Sequence, residues 1–198
     1  MITVRKKLFN SGAVILKKLY PDCYYESIFD IKIADLKDAE IKGIIVDIDN
    51  TIIPWNDKNI SDEVFNWFKK FIEEGFKLCL ISNGMNKRVE YFRNQLDIPA
   101  IGNAVKPRKK AYIKSLNILD LKRNEIAVIG DQVFTDVLGG NRMGFMTILV
   151  DPLNKNEFFT TRLMRLLEKF VIKRGMYHDW LMEGLLCFTI KWRRYLWF

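Results

Sequence analysis

Two carboxylates, Asp47 and Asp49, leave the chain two residues apart at the end of the apolar run Ile44-Ile45-Val46. Further along, comparable points carry Ser82 with Asn83, then Lys106, then Asp131 and Asp136. Extended backbone has a period of two, so Asp47 and Asp49 should emerge on the same side just where the strand ends. Two like charges that close are costly unless a cation or a proton sits between them. Carboxylates, a hydroxyl and an ammonium are what phosphoryl chemistry requires: a nucleophile, a proton carrier and counter-charges for the phosphoryl oxygens. Each residue also has an ordinary structural role. Asp and Asn cap turns, Ser82-Asn83-Gly84 can be a turn alone, Lys106 can be a solvated lysine, and Asp131 can cap the helix after it.

The elements that must carry these groups decide between the two readings. The β-branched run opened by Gly43 reads as a strand buried on both faces. Further strands are expected over residues 77–81, 99–101 (a short piece), 125–129 and 145–150. A helix is expected over 61–74, with Ser61 as N-cap, Gly75 as its end, and Val64, Phe65, Phe68, Phe71 and Ile72 on its apolar face. Residues 86–96 and 134–143 also read as helices. Lys106-Pro107 is expected to open another, with proline in the first position. Residues 24–33 read as partly extended, and 35–40 as a helical turn. This alternation predicts an α/β fold, a doubly wound parallel sheet with helices on both faces. Ligands of such sheets bind at the carboxyl ends of the strands, and every polar group above falls at that one edge. Independent turn residues have no reason to assemble there.

Composition bounds the rest. The chain has 198 residues, 49% hydrophobic and 28% charged, which suits one globular domain with appendages. The expected division is a basic amphipathic leader helix over 1–20, a core over 21–154, and a basic aromatic helical extension over 155–198. A net charge of +8 points to an anionic partner. Cys23, Cys79 and Cys187 are scattered in apolar contexts, as reduced thiols of a cytosolic protein would be. His178 is the only histidine, so Ser-His-Asp catalysis and multi-histidine metal sites have little support. No segment reaches the roughly 18 uninterrupted apolar residues of a spanning helix. Arg5-Lys6-Lys7 looks like the start of a signal peptide. However, Lys17, Lys18 and Tyr20 stand where small cleavage-site residues would be, so the leader should stay attached.

Taken in order, Asp47-Ile48-Asp49-Asn50-Thr51, Ser82, Lys106-Pro107, and Gly130-Asp131-Gln132 with Asp136 resemble the four motifs of the haloacid dehalogenase (HAD) superfamily of phosphatases. The segment from Asp136 to Arg142, with Pro54-Trp55-Asn56 and Thr147 to Val150, resembles the YqeG-type proteins of subclass IIIA. These are similar to mitochondrial phosphatidylglycerophosphate phosphatases. The resemblance implies a HAD Rossmann-like core and phosphomonoester hydrolysis. It implies Asp47 as the nucleophile that forms an aspartyl-phosphate, and Asp49 as general acid and then general base. Ser82, Asn83, Thr51 and Lys106 would bind the phosphoryl group. Mg²⁺ would be held by the Asp47 carboxylate, the Asp49 backbone carbonyl and Asp131, with Asp136 holding a coordinated water.

Many HAD enzymes carry a cap domain after the first or second motif. Here Ser82 lies 33 positions after Asp49, and Lys106 lies 24 positions after Ser82. Neither gap has room for a cap, so an open site is expected, suited to a substrate presented on something large. The extension alternates Leu163, Leu166, Leu167 and Phe170 with Arg162, Arg165, Lys169 and Lys173. It ends in an aromatic stretch containing Trp180, Trp192 and Trp197. From residue 155 on, nine Lys/Arg face four Asp/Glu. Basic residues among large aromatics favour an anionic lipid head group as substrate and an anionic membrane surface as support, reached from the cytosolic face. A helical appendage packed on the core is the other reading. A soluble nucleotide, sugar or protein phosphatase and a basic RNA-associated assembly factor are the rival functions. The absence of an aromatic-rich RNA motif or glycine loop argues against nucleic acid.

Overall fold

The computed structural model describes residues 18–154. The expected leader, apart from residues 18–20, and the whole extension over 155–198 lie outside the described residues. In chain order the elements are β1 (Cys23–Tyr25), α1 (Ile33–Asp38), β2 (Gly43–Asp47), α2 (Asp62–Glu73), β3 (Lys77–Ile81), α3 (Asn86–Leu96), β4 (Ala100–Ile101), α4 (Lys109–Leu119), β5 (Ile126–Gly130), α5 (Leu138–Met143) and β6 (Met146–Val150). A π-helical turn, Val133–Val137, leads into α5. The six strands form one parallel sheet in the order β1-β6-β5-β2-β3-β4. This is the doubly wound α/β fold expected from the alternation of elements.

β2 lies inside the sheet because it has no polar residue before Asp47, and all five of its residues are buried. Ile44 and Val46 pack on one face with Phe68 and Phe71 of α2 and Phe92 of α3. Ile45 packs on the other with Tyr112 of α4, Met143 and Phe145. In register, Asp47 stands opposite Ile81 of β3, and Val46 opposite Ile129 of β5. The three strands therefore stop together, and the loops after them meet at one edge.

α2 starts where Ser61 accepts the Val64 N–H at 3.3 Å, and Gly75 at φ 87° takes the chain out of it. Its buried stripe is Val64, Trp67, Phe68 and Phe71. Phe65 and Ile72, expected on that face, are instead 48% and 49% exposed. At about 100° per residue, a stripe centred on 64, 68 and 71 turns 65 and 72 toward the flank. The edge strand β1, expected only as partly extended chain, pairs with β6. Asp22 fastens it, accepting from the Thr147 backbone at 2.8 Å and its hydroxyl at 3.0 Å.

No cap is inserted. Only a loop, α2 and β3 separate Asp49 from Ser82, and only α3 and β4 separate Ser82 from Lys106. Among the described residues, no helix is long and apolar enough to cross a membrane.

Candidate active site

Asp47, the last residue of β2, is 4% exposed, and Lys106 beside it is 7% exposed. The Lys106 Nζ donates to Asp47 Oδ1 at 2.5 Å and to Asp136 Oδ1 at 2.7 Å. The loop that brings Lys106 here is tied to the end of β3, because Asn83 Oδ1 accepts the Lys106 backbone N–H at 2.7 Å. The helix expected to open at Lys106-Pro107 begins later. The Lys106–Pro107 peptide is cis, Arg108 is the N-cap, and α4 starts at Lys109. Lys106 is thus a loop residue turned inward rather than a helix terminus.

Asp131 follows β5, and Asp136 lies in the π-helical turn; each is 1% exposed. Asp136 Oδ2 accepts from the Gln132 backbone at 3.2 Å and from Thr135 Oγ1 at 3.1 Å. Gly130 makes this approach possible, since a Cβ there would fall 2.3 Å from Asp136 Cγ. Thr51, expected at the substrate, is 1% exposed and lies behind the carboxylates. Its hydroxyl stands 3.2 Å from Asp47 Oδ2 and 3.3 Å from Asp131 Oδ1 and bridges the two with one proton.

Carboxylate oxygens of Asp47, Asp131 and Asp136 all lie within 4.8 Å of one another. One ammonium therefore faces three buried acids. Burial pushes the Asp47 carboxyl well above the usual range; Lys106 pulls it down, while Asp136 and Asp131 push it further up. For Lys106, burial alone would lower the pKa, but Asp136 and Asp47 outweigh it and keep the amine protonated. Burial, reinforced by Asp136, likewise keeps the Tyr112 phenol neutral, and its O–H donates to the Thr135 carbonyl at 3.0 Å. A buried, oxygen-only cluster with excess negative charge is a fitting cradle for a hard divalent cation.

Asp49 faces the other wall. Its Oδ2 accepts from Ser82 Oγ at 2.7 Å, and Ser82 Oγ accepts the Gly84 N–H at 2.8 Å. Its Oδ1 accepts from Arg88 Nε at 2.9 Å. Arg88 also donates to the Pro54 carbonyl at 3.2 Å and to the Asp57 carbonyl, and it lies 5.0 Å over the Phe92 ring. Sequence reasoning missed Arg88. The available signal was an arginine in the first turn of a helix, where the macrodipole disfavours a cation unless an acid holds it. The mouth between the walls is a depression of about 60 Å³ lined by Asp47, Asp49, Asn83, Lys106, Gln132 and Thr135. A larger hollow of about 540 Å³ sits at the opposite, amino edge of the sheet. None of the motif residues lines it, and two of its lysines are paired with acids, Lys37 with Glu74 and Lys42 with Glu125, each at 2.6 Å.

A parallel sheet that delivers an Asp-x-Asp strand end, a serine, a buried lysine and two further aspartates to one edge defines a HAD-superfamily phosphatase, a phosphoric monoester hydrolase. The comparisons narrow this class. The family model described as Mitochondrial PGP phosphatase matches residues 9–154, and the chain belongs to that family. It is 40% identical over 170 residues to "Probable phosphatase YqeG" of Bacillus subtilis (strain 168), covering 84% of this chain and 99% of that protein. It is 26% identical over 196 residues to the chloroplastic/mitochondrial phosphatidylglycerophosphate phosphatase 1 of Arabidopsis thaliana, covering 90% of this chain and 53% of that longer protein. Among solved structures, the cobalt-bound deoxy-D-mannose-octulosonate 8-phosphate phosphatase of Haemophilus influenzae aligns with a TM-score of 0.49 at 12% identity. That alignment covers 69% of this chain and 90% of the other.

Proposed function

We propose that this phosphatase hydrolyses a phosphomonoester in two steps through an aspartyl-phosphate on Asp47, and that its substrate is phosphatidylglycerophosphate or a similar anionic lipid phosphate. The observation that carries the mechanism is the buried Lys106 ammonium, which holds the Asp47 and Asp136 carboxylates beneath a depression that Asp49 also lines. In the first step an Asp47 oxygen forms a bond to phosphorus as the bond to the leaving oxygen breaks, and Asp49 delivers a proton to that oxygen. In the second, Asp49 takes a proton from water, the water oxygen bonds to phosphorus, and the Asp47–phosphorus bond breaks to release phosphate. Ser82, the backbone amides beside Asn83 and the Lys106 charge bind the phosphoryl oxygens. Asp47, Asp131 and Asp136, with the Asp49 carbonyl, would hold Mg²⁺, which when bound supplies positive charge against the phosphoryl oxygens.

Three features support the lipid substrate: family membership, the named activity of the Arabidopsis relative, and the absence, among the described residues, of a cap inserted between the motifs. The test is a substrate panel with and without Mg²⁺, comparing phosphatidylglycerophosphate with soluble nucleotide and sugar phosphates. Preference for the lipid by at least an order of magnitude in kcat/KM is expected, and Asp47→Asn should abolish turnover with the fold intact. Equal or better turnover of a soluble phosphoester would remove the lipid assignment, and near-normal activity of Asp47→Asn would remove the mechanism.

A further inference from the structure

The depression above Asp47 is about 60 Å³, room for only a few waters and so for roughly a phosphoryl group. Whatever the phosphoryl group is attached to must lie outside, against the rim. Four separate loops build that rim, and each presents an exposed apolar side chain. Trp55 is 38% exposed on the loop after β2, Met85 76% after β3, Val105 52% before Lys106, and Leu153 48% after β6.

Backbone contacts hold the four loops around one mouth. The Arg88 side chain joins the Pro54 and Asp57 carbonyls to the helix turn that starts at Met85. The Asn103 N–H donates to the Gly84 carbonyl at 2.9 Å, and the Ala104 N–H to the Ser82 carbonyl at 3.0 Å. The Leu153 N–H donates to the Asn50 carbonyl at 2.9 Å. Val105 is the informative member. A β-branched residue at φ 52° is an outlier, and half of its surface is exposed to water, so it breaks a local rule without an evident gain to the fold.

Exposed cations stand on these loops and on the first turns of the helices that follow them: Lys58, Lys87, Arg108, Lys109 and Lys110. Their acids are already engaged. The Asp57 carboxylate accepts from the Lys58 and Asn59 amides, and Asp151 accepts from the Tyr24 hydroxyl at 2.7 Å. Isolated apolar tips set among lysines do not resemble a protein–protein interface, from which lysine is depleted. They fit an anionic bilayer surface, where apolar tips enter the boundary and lysines stay at head-group level. The chain also leaves the described residues from this rim and continues into the segment where nine Lys/Arg face four Asp/Glu.

We infer that the rim of the active site, with Trp55, Met85, Val105 and Leu153 as its apolar tips, is a docking surface for an anionic lipid bilayer. It seats the mouth directly on the head groups. This rests on the lipid-phosphate reading for its biological sense, but its test requires no turnover of lipid. The full chain is sedimented with phosphatidylcholine vesicles with and without phosphatidylglycerol, lipids that carry no phosphomonoester. Binding only to the anionic vesicles is expected. Met85→Asp with Val105→Asp, and separately Lys109→Glu with Lys110→Glu, should each weaken it at least about tenfold. Thermal unfolding of both double variants should remain cooperative, which reports that they fold, and hydrolysis of p-nitrophenyl phosphate by Lys109→Glu with Lys110→Glu should match the wild type. Hydrolysis of detergent-dispersed phosphatidylglycerophosphate is run beside it and bears on the substrate alone. Wild-type vesicle binding by both double variants, or no binding by the wild type, overturns the docking surface even if the dispersed lipid is hydrolysed. A change in oligomeric state with unaltered vesicle binding would also overturn it, making the rim a contact between copies.

Discussion

Arg88 Nε stands 2.9 Å from Asp49 Oδ1, and the rest of the guanidinium holds the Pro54 and Asp57 carbonyls of the loop after β2. The proposed proton carrier and the loop over the mouth are thus tied to one side chain. Arg88 keeps the Asp49 carboxyl oriented beside Ser82 for both of its proposed roles.

Arg88→Ala should therefore lower kcat by roughly tenfold or more on an alkyl phosphate and less on p-nitrophenyl phosphate, whose leaving group needs little proton assistance. Arg88→Lys keeps the charge but cannot span three acceptors, so it should recover only part of the loss. Steady-state kinetics on the two substrates is the measurement. Equal losses on both would mean that Arg88 acts through the loop and not through Asp49.

Gly130 separates a catalytic from a structural effect. A Cβ there would lie 2.5 Å from Asp136 Cβ as well as 2.3 Å from its Cγ, so Gly130→Ala must push Asp136 off Lys106. Activity should fall at least about tenfold, with a stability cost of about 1–3 kcal/mol. Gly144 is the control. It sits at φ 76° with nothing within 4 Å of the place a Cβ would take, so Gly144→Ala should cost about 1 kcal/mol and leave kcat alone. Denaturant unfolding and kcat on the two variants make the comparison.

Much of this was legible in the chain because the sheet is simple. Each inner strand is a short apolar run that stops at a polar residue, and parallel order carries those stops to one edge. That logic brings Asp47, Ser82, Lys106 and Asp131 together before any coordinate is known. It is weaker where tertiary contacts decide. Cys23–Tyr25 reads at most as partly extended chain, and it becomes a strand because Asp22 and Tyr24 tie it to residues more than 120 positions away. Pro107 has the residue type of a helix start, yet the hydrogen bond between Asn83 and Lys106 holds the chain in a loop for two residues more. Thr51 is a motif residue whose type fits a phosphate contact, and only the fold reveals that two carboxylates occupy its hydroxyl.

Cys79 gives a test of the core by pH. It is fully buried on the face of the sheet that packs α4, and burial pushes its thiol up to about 11. The unfolded thiol ionises near its ordinary value, about 8.5, so the native state binds the extra proton between the two values. Stability is unaffected below the lower value and is lost as pH rises toward 11. Cys23, also pushed up to about 11 by burial and then by Asp22 and Asp35, adds to the same window. Urea unfolding should show a loss of about 1–2 kcal/mol from Cys79 alone by pH 10. Cys79→Ala should be less stable throughout but show a shallower slope above pH 8.5. An unchanged slope would mean that the thiol is not protected in the native state.

The aspartate cluster gives a second handle of the same sign, at lower pH and through a cation. Burial and the neighbouring carboxylates Asp136 and Asp131 hold the native Asp47 carboxyl above its unfolded value, against the pull of Lys106. A raised acid stabilises the native state at low pH and loses that contribution as pH climbs from the unfolded value, about 3.9, through the native one. In chelator, the midpoint of thermal unfolding should therefore fall from pH 5 toward pH 8. Mg²⁺ at about 100 times its pH 8 dissociation constant should restore about 2.7 kcal/mol there, or roughly 5–10 °C in a chain of this size, and the same concentration should restore less at pH 5. Asp131→Asn removes one negative charge while leaving Asp47, Asp136 and Lys106 in place. It should raise the midpoint in chelator by a few degrees and erase most of the Mg²⁺ increment. Thermal unfolding of both proteins at the two pH values, with Mg²⁺ and with chelator, decides it. A Mg²⁺ increment of the same size in Asp131→Asn would move the cation away from this cluster.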